Sequence, residues 1–106
     1  MPPSRMPSIN QVALSGRLMQ DPEARQTENG RFRLTFSVAV NRPYKDEQGN
    51  WQQETTSVPV LAWDQLAEYG LDRLTKGAAV FITGRLHSPG TELGVTARHI
   101  QFLDPK

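Results

Sequence analysis

Arg31-Phe32-Arg33-Leu34-Thr35-Phe36-Ser37-Val38-Ala39-Val40-Asn41 is the stretch that decides the fold. Phe32, Leu34, Phe36, Val38 and Val40 fall on one side of a period-two pattern, and Arg31, Arg33, Thr35, Ser37, Ala39 and Asn41 on the other. Strict alternation predicts a strand with one buried face. About ten residues of it exceed the usual five or six, and long, curved strands are what a small barrel requires.

Upstream, Val12, Leu14, Gly16 and Leu18 alternate with Ala13, Ser15, Arg17 and Met19, which predicts a first strand within 9–20. Asp21-Pro22 breaks it, because proline lacks the ladder donor. A short strand over 24–27 then leads to Asn29-Gly30, a dipeptide suited to a type I′ hairpin turn. Downstream, residues 43–50 are polar and turn-rich and read as a loop carrying Tyr44. A third strand starts at Trp51, with Thr56, Val58, Val60 and Ala62 inward and Thr55, Ser57, Leu61 and Trp63 outward. Pro59 within it predicts an edge position or a bulge.

Asp64 is placed to cap a helix whose apolar residues Leu66, Ala67, Leu71 and Leu74 recur at helical spacing, with Lys76-Gly77 as its stop. Gly70 weakens that helix by about 1 kcal/mol relative to alanine. Alternation resumes at Val80, Ile82, Gly84 and Leu86, Ser88-Pro89-Gly90 turns the chain, and a last strand covers 95–103. One helix between the third and fourth of five long strands is the order of the OB-fold. This all-β Greek-key barrel binds oligonucleotides or oligosaccharides on the outer face of its second and third strands.

The 106 residues suffice for one domain, expected over 9–104 after a disordered extension at 1–8. Without cysteine there is no disulfide, thiolate metal site or thiol nucleophile. The two histidines, His87 and His99, belong to no metal-spaced cluster and have no acidic pair near them in sequence, so neither a metal nor a general base is assigned. With no glycine-rich phosphate loop and no GxSxG elbow, a non-enzyme without cofactor is expected. No run approaches the roughly 18 apolar residues of a membrane span, and the start lacks an apolar signal core, so a soluble, cytoplasmic protein is expected. Net charge is only +1, but it divides into +4 up to Lys45 and -3 from Asp46 on, so one side of the domain can attract anions.

Two spaced blocks carry a family resemblance. Asn10-x-Val12-x-Leu14-x-Gly16-x-Leu18-x-x-Asp21-Pro22-Glu23-x-Arg25 followed by Asn29-Gly30 is similar to the opening strand and hairpin of bacterial single-stranded DNA-binding (SSB) proteins. Trp63-x-x-Leu66-Ala67-Glu68 through Leu74-x-Lys76-Gly77-x-x-Val80-x-Ile82-x-Gly84-x-Leu86 resembles their helix and following strand. The resemblance spans about 9–103. It implies an OB-fold, single-stranded DNA binding without strong sequence preference, a homo-oligomer (dimer or tetramer), a place beside the nucleoid and replication proteins as further partners. It also implies that Tyr44, Trp63 and Trp51 stack on bases. Where the family has Thr-Glu-Trp-His-Arg-Val, this chain has Thr55-Thr56-Ser57-Val58-Pro59-Val60, so one stacking tryptophan is replaced by Ser57. The hairpin over 87–94 is short and without an aromatic, and after Asp104-Pro105-Lys106 no acidic, Phe-ended tail follows, which leads to the expectation of a tail-less form.

Nonspecific binding of a single strand needs cations that follow phosphates and flat rings on which any base stacks. Trp51 and Trp63 share the outward parity of the third strand, with Ser57 between them, unless a bulge at Pro59 reverses one. Arg31, Arg33, Thr35 and Ser37 are their outward neighbours on the second strand, Arg42 and Lys45 flank Tyr44, and Arg17 and Arg85 complete the candidate site. Competing roles stand beside these: Trp63 as a core or subunit contact, Trp51 as a wedge against its neighbour strand, and the arginines as a solvated face. Phe32, Phe36 and Phe81 read as core or interface. Two other functions also fit the sequence: a replication-restart accessory resembling the dimeric primosomal OB protein, and an OB oligomer that has lost DNA binding.

Overall fold

The computed structural model describes residues 7–88 and 92–103. Most of the expected extension at 1–8, the turn at Pro89-Gly90 and residue 104 lie outside the described residues. The elements are β1 (Val12–Leu18), β2 (Glu23–Gln26), β3 (Phe32–Lys45), β4 (Trp51–Trp63), α1 (Asp64–Arg73), β5 (Ala79–His87) and β6 (Gly94–Phe102). As expected, Asp21-Pro22 separates the first strand, β1, from the short β2, and both pair with β3. Between Leu18↔Val38 and Glu23↔Thr35 the first strand uses more residues than β3 does, which bends the pair at that point.

The sheet runs β1-β5-β6-β4-β3-β2, and the additional β1–β3 pairing closes it. Every neighbour pair is antiparallel except β4–β6, joined in parallel at Val60↔Val95 and Leu61↔Thr96. Five long strands therefore make a closed barrel, and the helix follows its third long strand, as the sequence predicts. Leu34, Phe36 and Val38 of β3, Val60 and Ala62 of β4, Val80 and Ile82 of β5 and Ile100 of β6 fill the interior.

Helix α1 packs against β3, β4 and β6. Its buried positions are Ala67 and Gly70, followed by Leu74 just past its end, whereas Leu71, expected inward, is exposed. A Cβ at Gly70 would come within 3.0 Å of Leu34 Cδ2 and 3.1 Å of Leu74 Cδ1. The glycine thus lets the helix sit close against Leu34 of the barrel, and its helix-weakening effect is the cost of that seat. The helix ends at Arg73 with Leu74 extended as its C-cap, ahead of Lys76-Gly77.

Both hairpins flanking β3 use one device. The Thr27 N–H donates to Arg31 O and Gly30 N–H to Thr27 O, and Gly30 sits at φ 83°. In the next hairpin the Asp46 N–H donates to Asn50 O and Gly49 N–H to Asp46 O, with Gly49 at φ 82°. Each is a three-residue loop closed by a left-handed glycine, not the type I′ turn expected at Asn29-Gly30: Asn29 does not have a positive φ. The Asp46 carboxylate tightens the second turn by accepting from the N–H groups of Gln48 and Asn50 and from Gln52 Nε2. The hydrogen bond from Asn50 is foremost in holding the Asp46 pKa below its ordinary value.

This turn changes the reading of residues 43–50. Only 46–50 form the turn: β3 runs on to Lys45 and pairs with β4 in one unbroken register from Arg33↔Trp63 to Lys45↔Trp51. Beyond Val40 the two strands leave the core as a two-stranded arm, and Thr56, the partner of Val40 expected inward, is exposed. Pro59 causes no bulge. Ser37 O accepts from the Met19 N–H, so the Ser37 peptide faces β1 and its partner Pro59 turns its nitrogen away from β3. The missing donor falls on the edge of β4 just before its pairing with β6, which satisfies the edge alternative.

Candidate nucleic-acid interface

The unbroken register fixes which side chains share the outer face. Arg33 lies opposite Trp63, Thr35 opposite Leu61, Ser37 opposite Pro59, Ala39 opposite Ser57 and Lys45 opposite Trp51. Because side chains alternate, Trp51 and Trp63 point to the same side, as parity predicts. Arg42 and Tyr44, opposite Glu54 and Gln52, belong to the other face of the arm.

A groove of about 630 Å³ runs over this outer wall, floored by Thr35, Ser37, Pro59 and Leu61, with Arg33 and Trp63 at one end. Met19, Gln20, Asp21 and Glu23 form one bank, and His87, Glu92 and Gly94 the other. The groove thus gathers Trp63, Arg33, Thr35 and Ser37 from the predicted set. It adds Leu61 and Pro59, which offer apolar surface, and acidic banks at Asp21, Glu23 and Glu92 that composition alone did not place. Arg33 is the only arginine or lysine among its described lining residues.

Arg31 plays a different part from the one expected of a free cation. Its Nη2 and Nε donate to Asp64 Oδ2 at 2.9 and 3.2 Å, and its guanidinium lies 4.3 Å from the centroid of the Trp63 ring. Asp64, expected to cap α1, makes no cap bond. It adopts φ 57°, a left-handed conformation that aspartate tolerates better than most residues, and also accepts from the Phe32 N–H at 3.3 Å. The Arg31 hydrogen bond is the main reason the Asp64 carboxyl titrates below its ordinary value. The Arg31 guanidinium therefore lies against the Trp63 ring while it is held by Asp64.

On the arm, Lys45 Nζ lies 5.3 Å from the Trp51 centroid, and the Arg42 guanidinium lies 5.3 Å from that of Tyr44 while bonding Glu54 Oε1 at 2.7 Å. Trp51 is 68% exposed and Tyr44 37%. Two candidates stand apart. Arg17 Nη1 donates to Gly77 O at 2.8 Å, and Arg85 lies on β5 opposite Thr96; neither lines the groove. Phe36 is core and Phe32 packs against it, whereas Phe81 is 36% exposed, which excludes the core alternative for it and leaves the interface one. No group of three or more metal-ligating side chains occurs among the described residues, and no helix there is long and apolar enough to cross a membrane.

Sequence reasoning missed Arg25. It stands directly opposite Arg33 in the β2–β3 ladder, and the two share a second cleft of about 310 Å³ with Glu23, Ala24 and Thr35. The hairpin signal at Asn29-Gly30 held the clue, because a three-residue loop there fixes this pairing.

Residues 9–102 match the model of the Single-strand binding protein family. The chain is 39% identical to Single-stranded DNA-binding protein 2 of Chlorobaculum tepidum, covering 95% of this chain and 75% of that protein. It is 36% identical to Single-stranded DNA-binding protein A of Bacillus subtilis, covering 92% of this chain but 61% of the relative. Among solved structures, the single-stranded DNA binding protein of Thermus aquaticus superposes with a TM-score of 0.78 at 31% identity, over 91% of this chain and 50% of that one. The Plasmodium falciparum SSB, solved in complex with ssDNA, superposes with a TM-score of 0.81 at 25% identity, over 94% and 99%. Sequence, barrel and outer wall agree: the chain belongs to the single-strand binding protein family.

Proposed function

We propose that this chain binds single-stranded DNA without catalysis and with little regard to sequence, in replication, recombination or repair. The carrying observation is the outer wall of β3 and β4, where an apolar-floored groove sets the Trp63 ring beside Arg33. Trp63 stacks a base from the groove that it lines, Thr35 and Ser37 line the path, and Trp51 with Lys45 continues it along the arm. Tyr44 and Arg42 meet nucleic acid on the arm's other face. Arg17 and Arg85 lie off the groove and contact only a strand that wraps beyond it. The ssDNA in the Plasmodium falciparum complex supports the choice of ligand.

The working form is a homo-oligomer, dimer or tetramer, for which outward Phe81 and Leu86 on β5 offer apolar surface. It acts in the cytoplasm at the nucleoid, with replication proteins as further partners. Titration with poly(dT) at low salt, followed by tryptophan fluorescence, is expected to quench the signal. Affinity is expected to fall with salt at a log-log slope of about 0.7 per phosphate neutralised. Absence of quenching contradicts the reading. One observation favours a protein-contact accessory instead: midway between the two tryptophans stands Ser57, whose hydroxyl donates to Met19 Sδ and offers no ring to a base. A dimer by light scattering that leaves poly(dT) unbound would establish that second reading.

A further inference from the structure

Cross-strand partners of like charge repel, and a sheet has no structural use for them. Arg25 and Arg33 are such a pair, in register on β2 and β3, and neither guanidinium makes a hydrogen bond or ion pair with any described residue. The contrast with Arg31 is direct, since that guanidinium is already neutralised by Asp64. Glu23 shares the cleft and sits on the same strand, yet it pairs with Thr35 in the ladder and forms no ion pair with either arginine. A cleft of about 310 Å³ lies over the two cations, at the same end of β3 where Arg33 faces Trp63 across the β4 side.

We propose that Arg25 and Arg33 together form a phosphate subsite. It clamps the backbone phosphodiester of the nucleotide whose base stacks on Trp63. The inference rests on the single-strand binding reading and extends it to a residue on β2, outside the main groove's lining. A guanidinium holds phosphate oxygens in a fixed fork, and two forks converging from adjacent strands suit one phosphate better than a diffuse field does. The bound anion also removes the repulsion, so the ligand relieves a strain that the empty protein carries.

Two readouts move in opposite directions only if this is right. Arg25→Ala is expected to flatten the log-log salt dependence of oligo-dT binding by about 0.7, one phosphate contact, while tryptophan quenching at saturation persists. The same variant is expected to melt no lower than the wild type, and higher at low salt, because the repulsion is gone. Arg73→Ala, a cation stacked on Tyr69 at 4.4 Å on the helix, is the control and should leave the slope unchanged. Adding a 5′-phosphate to the oligonucleotide should not change affinity; a gain that Arg25→Ala abolishes would overturn the internal phosphodiester. Wild-type binding with an unaltered slope in Arg25→Ala overturns the subsite alone. Wild-type protein that does not bind at all takes the functional reading down with it.

Discussion

The barrel wall and the β3–β4 arm carry the same chemical unit, an aromatic ring with a cation beside it, on different foundations. At the wall, Trp63 follows the buried Ala62, and its ring is held by Arg31, itself fixed by Asp64. On the arm, Trp51 is two-thirds exposed and has the end of a lysine side chain beside its ring. The wall strands are anchored by a core, whereas the outer arm is a two-stranded ribbon, which is marginally stable in isolation. The two rings point the same way but lie about 40 Å apart at about 3.3 Å per residue. The wall is thus shaped before a ligand arrives, while the arm is free to follow the strand it meets.

The sharpest way to break this contrast is to remove support from each region. Leu34→Ala, at a fully buried position in contact range of the helix, is expected to cost about 2–5 kcal/mol in urea unfolding. Tyr44→Ala on the arm should stay within about 0.5 kcal/mol of the wild type. Equal losses would show that the arm is part of the cooperative unit.

Binding should divide the same way with smaller numbers. Trp63→Ala is expected to weaken oligo-dT binding by about 1–3 kcal/mol, roughly fivefold to 150-fold, by fluorescence anisotropy. Trp51→Ala should lie at the low end of that range, about 1 kcal/mol, because an unanchored ring loses freedom on stacking. The reverse ranking would transfer the anchor to the arm.

The smallest effect belongs to Asp64. Its carboxyl is held below the ordinary aspartate value, so its favourable contribution to stability is fully present above about pH 4 and is lost as pH falls through the lowered native value. Both partners of the Arg31 bridge are about half exposed, so the loss is modest. Melting curves of wild type and Asp64→Asn should differ at neutral pH and converge in acid. At neutral pH the substitution should also change the Trp63 emission by releasing Arg31. Curves that stay apart in acid would separate Asp64 from the acid response.

Alternation from Arg31 to Asn41 made the wall legible in the sequence, because parity along a strand survives whatever the strand pairs with. The outward placement of Trp51 and Trp63 followed from the same rule, and it held because Pro59 proved to face an open edge. The arm was hidden by its own composition. Pro43, Asp46, Gly49 and Asn50 read as loop formers, and the backbone bonds of Asp46, the left-handed Gly49 and the Asp46 side chain's three hydrogen bonds confine the turn to few residues. The Arg31–Asp64 bridge was out of reach for another reason. It joins positions far apart in sequence, it depends on the β3–β4 register, and Asp64 gives up the helix cap that local rules assign to it.

Backbone and indole chemical shifts of the 15N-labelled protein, recorded as oligo-dT is added, test the central claim most directly. The account predicts that shifts concentrate at the Trp63 indole N–H and at Arg33, Thr35, Ser37 and Leu61, with weaker changes at Trp51. Shifts that leave these signals untouched and gather on the exposed side of α1 or on β5 would contradict it.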